Sequence, residues 1–362
     1  MSEWLKDILA CNDPFGGVAV ILSGDPAQLS PVKGMSVWHR VDNPKASHDL
    51  SGYLEYIGFT SVVELTENRR VDPADPDAVE FLSLLDRIRD GTCTKDDWIL
   101  LCEKCTLDSM GFTAWKNRGF DNTETVRLFL TNVEVDTHNG LCLHELGKPI
   151  LLSEAKNSKG AKGIDEERFR GMKSAVHLAE GAQVMLTQNT SAPLGLVNGT
   201  TGVVKDFVFA EGVEAPCLPE YVWVDCGDQY KGETFFENNP ERKGWVPIYP
   251  VENTYITNRN KRYSRTGLPL RLCWALTVWK AQGQTIRGCL VVKLGDAEKS
   301  HGLTYTAFSR ATRLSDIGIV GGLTREWIME KIQNGKGTEP RIKEERRLRK
   351  LAATTEQEIR YL

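Results

Sequence analysis

The sequence predicts an α/β protein interrupted by a small all-β insert, and three observations carry that prediction. Apolar runs bounded by turn residues, as at 17–25 (GVAVILSGD), 125–131 (TVRLFLT) and 289–294 (CLVVKL), suit strands of a parallel sheet buried on both faces. Stretches of helical periodicity lie between them. From about 181 to 255, short β-rich runs (AQVML, TGVV, YVWV, GWVPIY) alternate with Gly, Pro and Asn turns, as in a small antiparallel barrel.

The elements follow in chain order. After Arg69 and Arg70, Asp75 is a natural N-cap and Pro76 suits the first helical position. Ala78, Phe81, Leu82, Leu85 and Ile88 then recur at helical spacing, and Gly91 stops the helix. The run at 125–131 reads as a strand leading into a polar helix. The lysine-rich stretch from Glu154 to Arg170 reads as an exposed loop, and Trp274 to Ala281 resumes a helical pattern. From Lys336 onward the chain is highly charged, and Arg341 to Leu362 mixes Arg/Lys with Glu at helical spacing. That reads first as a solvated terminal helix, with a docking or DNA-contacting helix as the alternative.

Composition limits the classes. In 362 residues, 41% hydrophobic and 26% charged, there is room for two or three compact units. No apolar run approaches the ~20 residues of a membrane helix, and the N-terminus has no secretory pattern. The expected setting is therefore intracellular: nuclear or mitochondrial in a eukaryote, cytoplasmic in a prokaryote. The nine cysteines read as reduced thiols rather than a disulfide framework. The spacing of Cys102 and Cys105 would suit a metal only with a second pair, which the sequence lacks, so two small apolar residues on a helix is the plainer reading. At a net charge of −4 there is no global field for nucleic acid. Arg259, Lys261, Arg262, Arg265 and Arg271 form a local basic cluster, which could track phosphates or be a solvated face.

Four segments carry chemistry together. Gly24-Asp25-Pro26-Ala27-Gln28-Leu29 follows the first apolar run. A side-chain amide at the end of a parallel strand sits where such sheets bind ligands, and can hydrogen-bond a phosphate oxygen or an attacking water. Alone it reads equally as a turn with a solvated glutamine. Leu65-Thr66-Glu67-Asn68-Arg69-Arg70 offers guanidiniums for a transferring phosphoryl group, or plain surface charge. Ala275-Leu276-Thr277-Val278-Trp279-Lys280-Ala281-Gln282-Gly283-Gln284-Thr285 ends in a turn rich in free donors. In Tyr305-Thr306-Ala307-Phe308-Ser309-Arg310-Ala311-Thr312 one arginine lies among small and apolar residues, a setting more often found in structural ion pairs.

The ordered combination resembles the Pif-type, RecD-like superfamily 1 DNA helicases. It consists of Gly-Asp-x-x-Gln-Leu-x-Pro-Val, Leu-Thr-x-Asn-x-Arg, a Thr-Asn strand end, Gly-Leu-Val-Asn-Gly-x-x-Gly, Lys-x-Gln-Gly-Gln-Thr and Ser-Arg-Ala-Thr, running from about Pro14 to Gly322. The resemblance implies two RecA-like motor domains, the second interrupted by an SH3-like barrel. It also implies ATP hydrolysis with Mg²⁺, and 5′-to-3′ movement along single-stranded DNA with unwinding of duplexes and junctions. Genome maintenance, in repair, recombination or telomere upkeep, is the family context. By position, Gln28 matches a γ-phosphate-sensing glutamine, Arg70 the arginine after the Leu-Thr-x-Asn segment, and Arg310 an arginine finger. Gly24, Asp25, Gly283 and Gln284 fall with them on the nucleotide side. Thr131, Asn132, Asn198, Trp279, Lys280 and Gln282 match the DNA side. Trp279 stands where the family usually has histidine.

On that resemblance, residues 1–72 correspond to the end of a first motor domain and 73–124 to a helical connector. Residues 125–180 with 270–330 form the second motor domain, 181–269 the barrel and 331–362 a charged helical tail. The phosphate loop, Gly-x-x-x-x-Gly-Lys-Ser/Thr, is not found. Gly335-Lys336-Gly337-Thr338 has the wrong spacing, and no acidic pair precedes Gly24. Both features lie upstream in the family, so the expectation is a helicase portion inactive in ATP turnover alone, completed by an upstream segment. A non-catalytic single-strand-binding module and a truncated mobile-element remnant are the competing expectations. No metal ligand is assigned.

Overall fold

The computed structural model describes residues 1–31, 34–40, 47–72, 74–213, 216–257, 259–294, 302–321, 323 and 338–360. The chain divides into two compact units, 1–120 with 278–362, and 121–277. That partition is coarser than the five expected segments and joins the first 120 residues to the carboxyl-terminal part.

The first unit opens with helices α1 (Ser2–Leu9), α2 (Ser47–Ile57), α3 (Pro76–Asp90), α4 (Lys95–Cys105) and α5 (Leu107–Asn117). Helix α3 has the ends its sequence dictates. The Asp75 carboxylate accepts from the Asp77 amide, Pro76 starts the helix, and Gly91 closes it at φ 68°. Ala78, Phe81, Leu84, Leu85 and Ile88 are its buried stripe. Thr94 and Asp97 form a reciprocal capping box on α4, and Arg87 clamps Asp97 at 2.6 Å. Cys102 and Cys105 lie on α4 as expected, and no metal-holding group of His, Cys, Asp or Glu occurs among the described residues.

The second unit contains β1 (Val126–Phe129), α6 (Asn132–Glu145), β2 (Leu151–Glu154), β3 (Lys156–Asn157), β4 (Ala175–Leu178), β5 (Gln183–Leu186), β6 (Thr201–Val208), β7 (Tyr221–Asp225), β8 (Trp245–Ile248), β9 (Val251–Ile256), β10 (Arg262–Gly267), β11 (Leu270–Leu272) and β12 (Ala275–Thr277). Strands β1 and β12 pair in parallel, with Leu128 opposite Leu276. Asn139 of α6 locks β12 by exchanging hydrogen bonds with both backbone groups of Ala275. An antiparallel sheet of order β11-β5-β6-β7-β8 turns Val184, Val204, Val222, Val224, Val246 and Ile248 into one core with Trp274. A second antiparallel sheet runs β3-β10-β9.

The chain then returns to the first unit through α7 (Val278–Ala281), β13 (Leu290–Lys293), α8 (Leu303–Phe308), β14 (Ile317–Val320) and α9 (Thr338–Arg360). Strands β13 and β14 pair in parallel. Gly318 of β14 is a point of close approach: a Cβ there would meet the Trp115 ring at 2.7 Å.

Four sequence expectations need correction. In the run at 17–23, Gly17 ends a short 3-10 turn and residues 18–23 enter no ladder; Ile21 is 93% exposed, because among the described residues no strand pairs beside it to cover either face. The stretch 154–170 is not simply an exposed loop. Ala161 and Phe169 are buried beneath Tyr255 and Tyr263, tied down by Arg265. Residues 274–281 begin as strand β12 and become helical only at Val278, because parallel pairing with β1 captures Ala275–Thr277. The terminal helix α9 is docked rather than solvated, with Arg341, Glu344, Glu345 and Thr355 all buried. The Gly335-Lys336-Gly337 string lies outside the described residues. Among the described residues, no helix is long and apolar enough to cross a membrane.

Candidate functional site

Asp25 builds the first wall of the site. Its carboxylate folds back on its own turn, accepting from the Ala27 amide at 2.9 Å, while the Gln28 amide donates to the Asp25 carbonyl. This is an Asx turn, the local reason that Gly-Asp-x-x-Gln makes a tight corner. Gly302, at φ 76°, passes so close to this corner that any Cβ would strike the Ala27 carbonyl. Ala27 and Leu29 are buried, which leaves Gln28 facing out of the corner.

Arg70, Arg310 and the Gln282–Thr285 turn form the second wall. Arg70 Nε donates to Thr285 Oγ1 at 2.9 Å, and its Nη1 donates to the Ser309 carbonyl at 2.6 Å. Arg310, only 1% exposed, is held by neutral oxygens. Its Nε donates to the Thr306 carbonyl (2.8 Å), its Nη1 to the Gln284 carbonyl (3.0 Å) and its Nη2 to Ser309 Oγ (2.8 Å). Gln282 Nε2 donates to Gln28 Oε1 at 3.3 Å, which closes the ring. Three residues from motifs up to 282 positions apart, Gln28, Arg70 and Arg310, thus border one region of a single compact unit.

The electrostatics of this corner are unusual. Arg310 is pushed down to about 10, chiefly because burial penalises its charge and further because the Arg70 cation lies close by. Burial also lowers Arg70. Neither guanidinium has a carboxylate partner among the described residues, so the expected structural ion pair for Arg310 is not what holds it. Two partly desolvated cations side by side cost free energy that a multivalent anion would offset. The chemistry of the corner is thus that of an anion site: fixed guanidiniums, side-chain amides and a hydroxyl.

The other sequence-singled residues are placed as follows. Gly24 is exposed at the turn, and Gly283, at φ 83°, is exposed with open space around it. Gln284 donates its side-chain amide to the Lys280 carbonyl at 3.0 Å. Trp279 is half-buried, and Lys280 and Gln282 are exposed. In the other unit, Thr131 caps α6 by accepting from the Glu134 amide, Asn132 opens that helix in an exposed position, and Asn198 is exposed on its turn. Of the basic cluster, Arg265 is 1% exposed, donating to Asn157 and to the carbonyls of Met172, Ala161 and Ile164, and so is a structural residue. Arg259, Lys261 and Arg262 remain exposed.

Sequence reading missed Arg89 and Glu345, and gave no role to Tyr305. Tyr305 donates to Asp25 Oδ2 at 3.2 Å, and Arg89 reaches Asp25 Oδ1 at 3.2 Å. Arg89 sits on the solvent-graded side of an ordinary amphipathic helix, so no local pattern marks it.

The chain is similar to known helicases in sequence and in fold. The model of the PIF1-like helicase family matches residues 1–98, and that of the DNA helicase Pif1 2B domain matches residues 172–207. The human ATP-dependent DNA helicase PIF1 is 29% identical over 310 residues, covering 85% of this chain and 41% of the relative. Two segments of the chain thus match models of Pif1-type helicases, and relatives of that kind are similar to it over most of its length. Among further relatives, PIF6 of Trypanosoma brucei is 27% identical, with 85% of this chain and 37% of that protein covered. The chain therefore spans about two fifths of the length of these curated relatives. In fold it is similar to Pif1 helicase from Candida albicans (TM-score 0.61, 22% identity, 92% of this chain and 71% of that one). It is also similar to Bacteroides Pif1 bound to single-stranded DNA (TM-score 0.57, 20% identity, 90% and 67% covered).

Proposed function

We propose that this chain is the nucleotide-gating and DNA-tracking portion of an ATP-dependent DNA helicase. The observation that carries the reading is the pair of desolvated guanidiniums, Arg70 and Arg310, with no carboxylate at ion-pair distance among the described residues, joined to Gln28 through the Gln282–Thr285 turn. In this reading ATP is the substrate, and its γ-phosphate lies between the two walls. The guanidiniums stabilise charge as it spreads over the transferring phosphoryl group, and Gln28 orients the attacking water. The same turn carries Lys280 and Gln282 toward the DNA side, so occupancy of the anion corner is coupled to the grip on the strand. Single-stranded DNA, 5′-to-3′ movement, duplex and junction unwinding and an SH3-like fold for the β-rich insert all belong to this proposal.

In this reading Mg²⁺ and the phosphate loop are assigned to an upstream segment completing the first motor domain. Exposure of Ile21 (93%), Leu65 (88%) and Val63 (73%) supports this, since apolar runs of strand type are left with neither face covered.

The expected result is background ATP turnover by the 362-residue chain, and turnover once a phosphate-loop segment is joined ahead of it. Arg310→Ala in that joined protein is expected to cut turnover by ~10³-fold or more. Unchanged turnover in the variant overturns the reading.

A further inference from the structure

Helix α9 makes two separable sets of contacts. One anchors it to α2 and the segment after it. Tyr56 donates to Glu344 at 2.6 Å, Arg347 of the same helix lies over the Tyr56 ring at 5.2 Å, and Thr355 Oγ1 accepts from the Val62 amide at 3.0 Å. The other set points at the anion corner. Glu345, 8% exposed, binds Arg89 with both oxygens, at 3.0 and 3.3 Å, and accepts from the buried Arg341 at 3.2 Å.

Arg89 passes this contact on. Its Nη2, held by Glu345, also donates to Asp25 Oδ1, and Asp25 Oδ2 accepts from Tyr305 OH at 3.2 Å and Gln28 Nε2 at 3.4 Å. Burial alone would lower Arg89, but Asp25 and Glu345 more than offset it and hold it above the usual arginine range. The geometry has a consequence for Gln28. A carboxylate only accepts, so Asp25 draws the NH₂ end of the amide inward and leaves Gln28 Oε1 facing out, where Gln282 meets it. An acceptor in that position can orient a water, whereas the flipped amide would present a donor.

We propose that Glu345 and Arg89 are positioning residues: through Asp25 they fix the 25–28 turn and the orientation of the Gln28 amide. The carboxyl-terminal helix is thereby part of the site. This inference rests on the reading that Gln28 faces a nucleotide, but its test requires none, so the two fail separately. If the joined helicase shows no Arg310-dependent turnover while the test below succeeds, only the functional reading falls.

The test uses the 362-residue chain with Glu345→Gln, which keeps the side-chain shape, and Glu345→Ala, with Glu344→Gln as the control. Hydrogen–deuterium exchange is followed in peptides covering 24–30, 47–57 and 60–64. Both Glu345 variants are expected to speed exchange in 24–30 by about tenfold while leaving the other two regions unchanged, and Glu344→Gln to do the reverse. The Gln28 side-chain amide resonances, assigned by their loss in Gln28→Leu, are expected to shift in Glu345→Gln and not in Glu344→Gln. If the 24–30 peptide does not speed up, if all three regions loosen together, or if the Gln28 resonances stay put, the proposal is overturned. Should Glu345→Ala fail to fold, Glu345→Gln alone decides.

Discussion

Two apolar runs of similar composition meet opposite fates in the same unit. In CLVVKL, Leu290, Val291 and Val292 are at most 2% exposed, in a strand paired residue for residue with β14. In GVAVILS, Ile21 is 93% and Leu22 54% exposed, and the backbone enters no ladder among the described residues. A two-sided apolar run is therefore a conditional statement: it becomes a buried strand only where neighbours supply both hydrogen bonds and cover. Elsewhere in the first 65 residues, polar contacts tie the chain down. The Val62 amide finds Thr355, Tyr56 finds Glu344, and Lys6 pairs with Glu55 at 2.9 Å.

The sharpest way to break the contrast is a charge in each run. Val292→Asp buries an unpaired carboxylate in a sealed sheet and is expected to cost more than about 4 kcal/mol, enough to unfold most of the first unit. Ile21→Asp, at an exposed position, is expected to change stability by no more than about 0.5 kcal/mol. Chemical denaturation of the two variants checks this, and equal losses would mean that 17–23 is packed after all.

A second contrast sets buried against exposed arginine. Arg265→Ala strands several carbonyls that now share its guanidinium, and loses its packing on Phe169 at 4.3 Å. A loss of about 3 kcal/mol is expected. Arg262→Ala on the same strand is expected to be nearly silent in stability and to lower the salt dependence of single-strand binding if Arg262 meets a phosphate. Thermal melts and anisotropy titrations at several salt concentrations measure both.

The smallest effect concerns the polar anchoring of α2 to α9. Burial, and then the Glu344 carboxylate, push Tyr56 up to about 12. The phenol is therefore favoured in the folded state. Its contribution is fully present below pH 10 and is lost as pH rises from 10 through 12. Roughly 1–2 kcal/mol is expected to disappear across that window, and Tyr56→Phe is expected to flatten the loss. Stability measured against pH in the two proteins decides it.

The site was legible in its parts and not in its assembly. Gln28, Arg70 and Arg310 could be named only because their strings occur together in a fixed order that resembles a known family; each string alone read equally as surface or structure. Arg89 and Glu345 could not, since one charged residue on an amphipathic helix looks like any other until its partner is known. The same reasoning explains Arg265, which reads as one of a basic cluster and proves to be a buried clamp.

Local chemistry alone set the caps of α3 and α4, the Asx corner at Asp25 and the strand runs of the β-rich unit. These depend on contacts within a few residues, or on a period that the chain carries with it. Only the tertiary structure decided which apolar runs are covered, whether the charged tail docks, and which distant carboxylate holds which guanidinium. Burial and ion pairing are relations between segments hundreds of residues apart, and their free energy exists only once folding has removed the water between them.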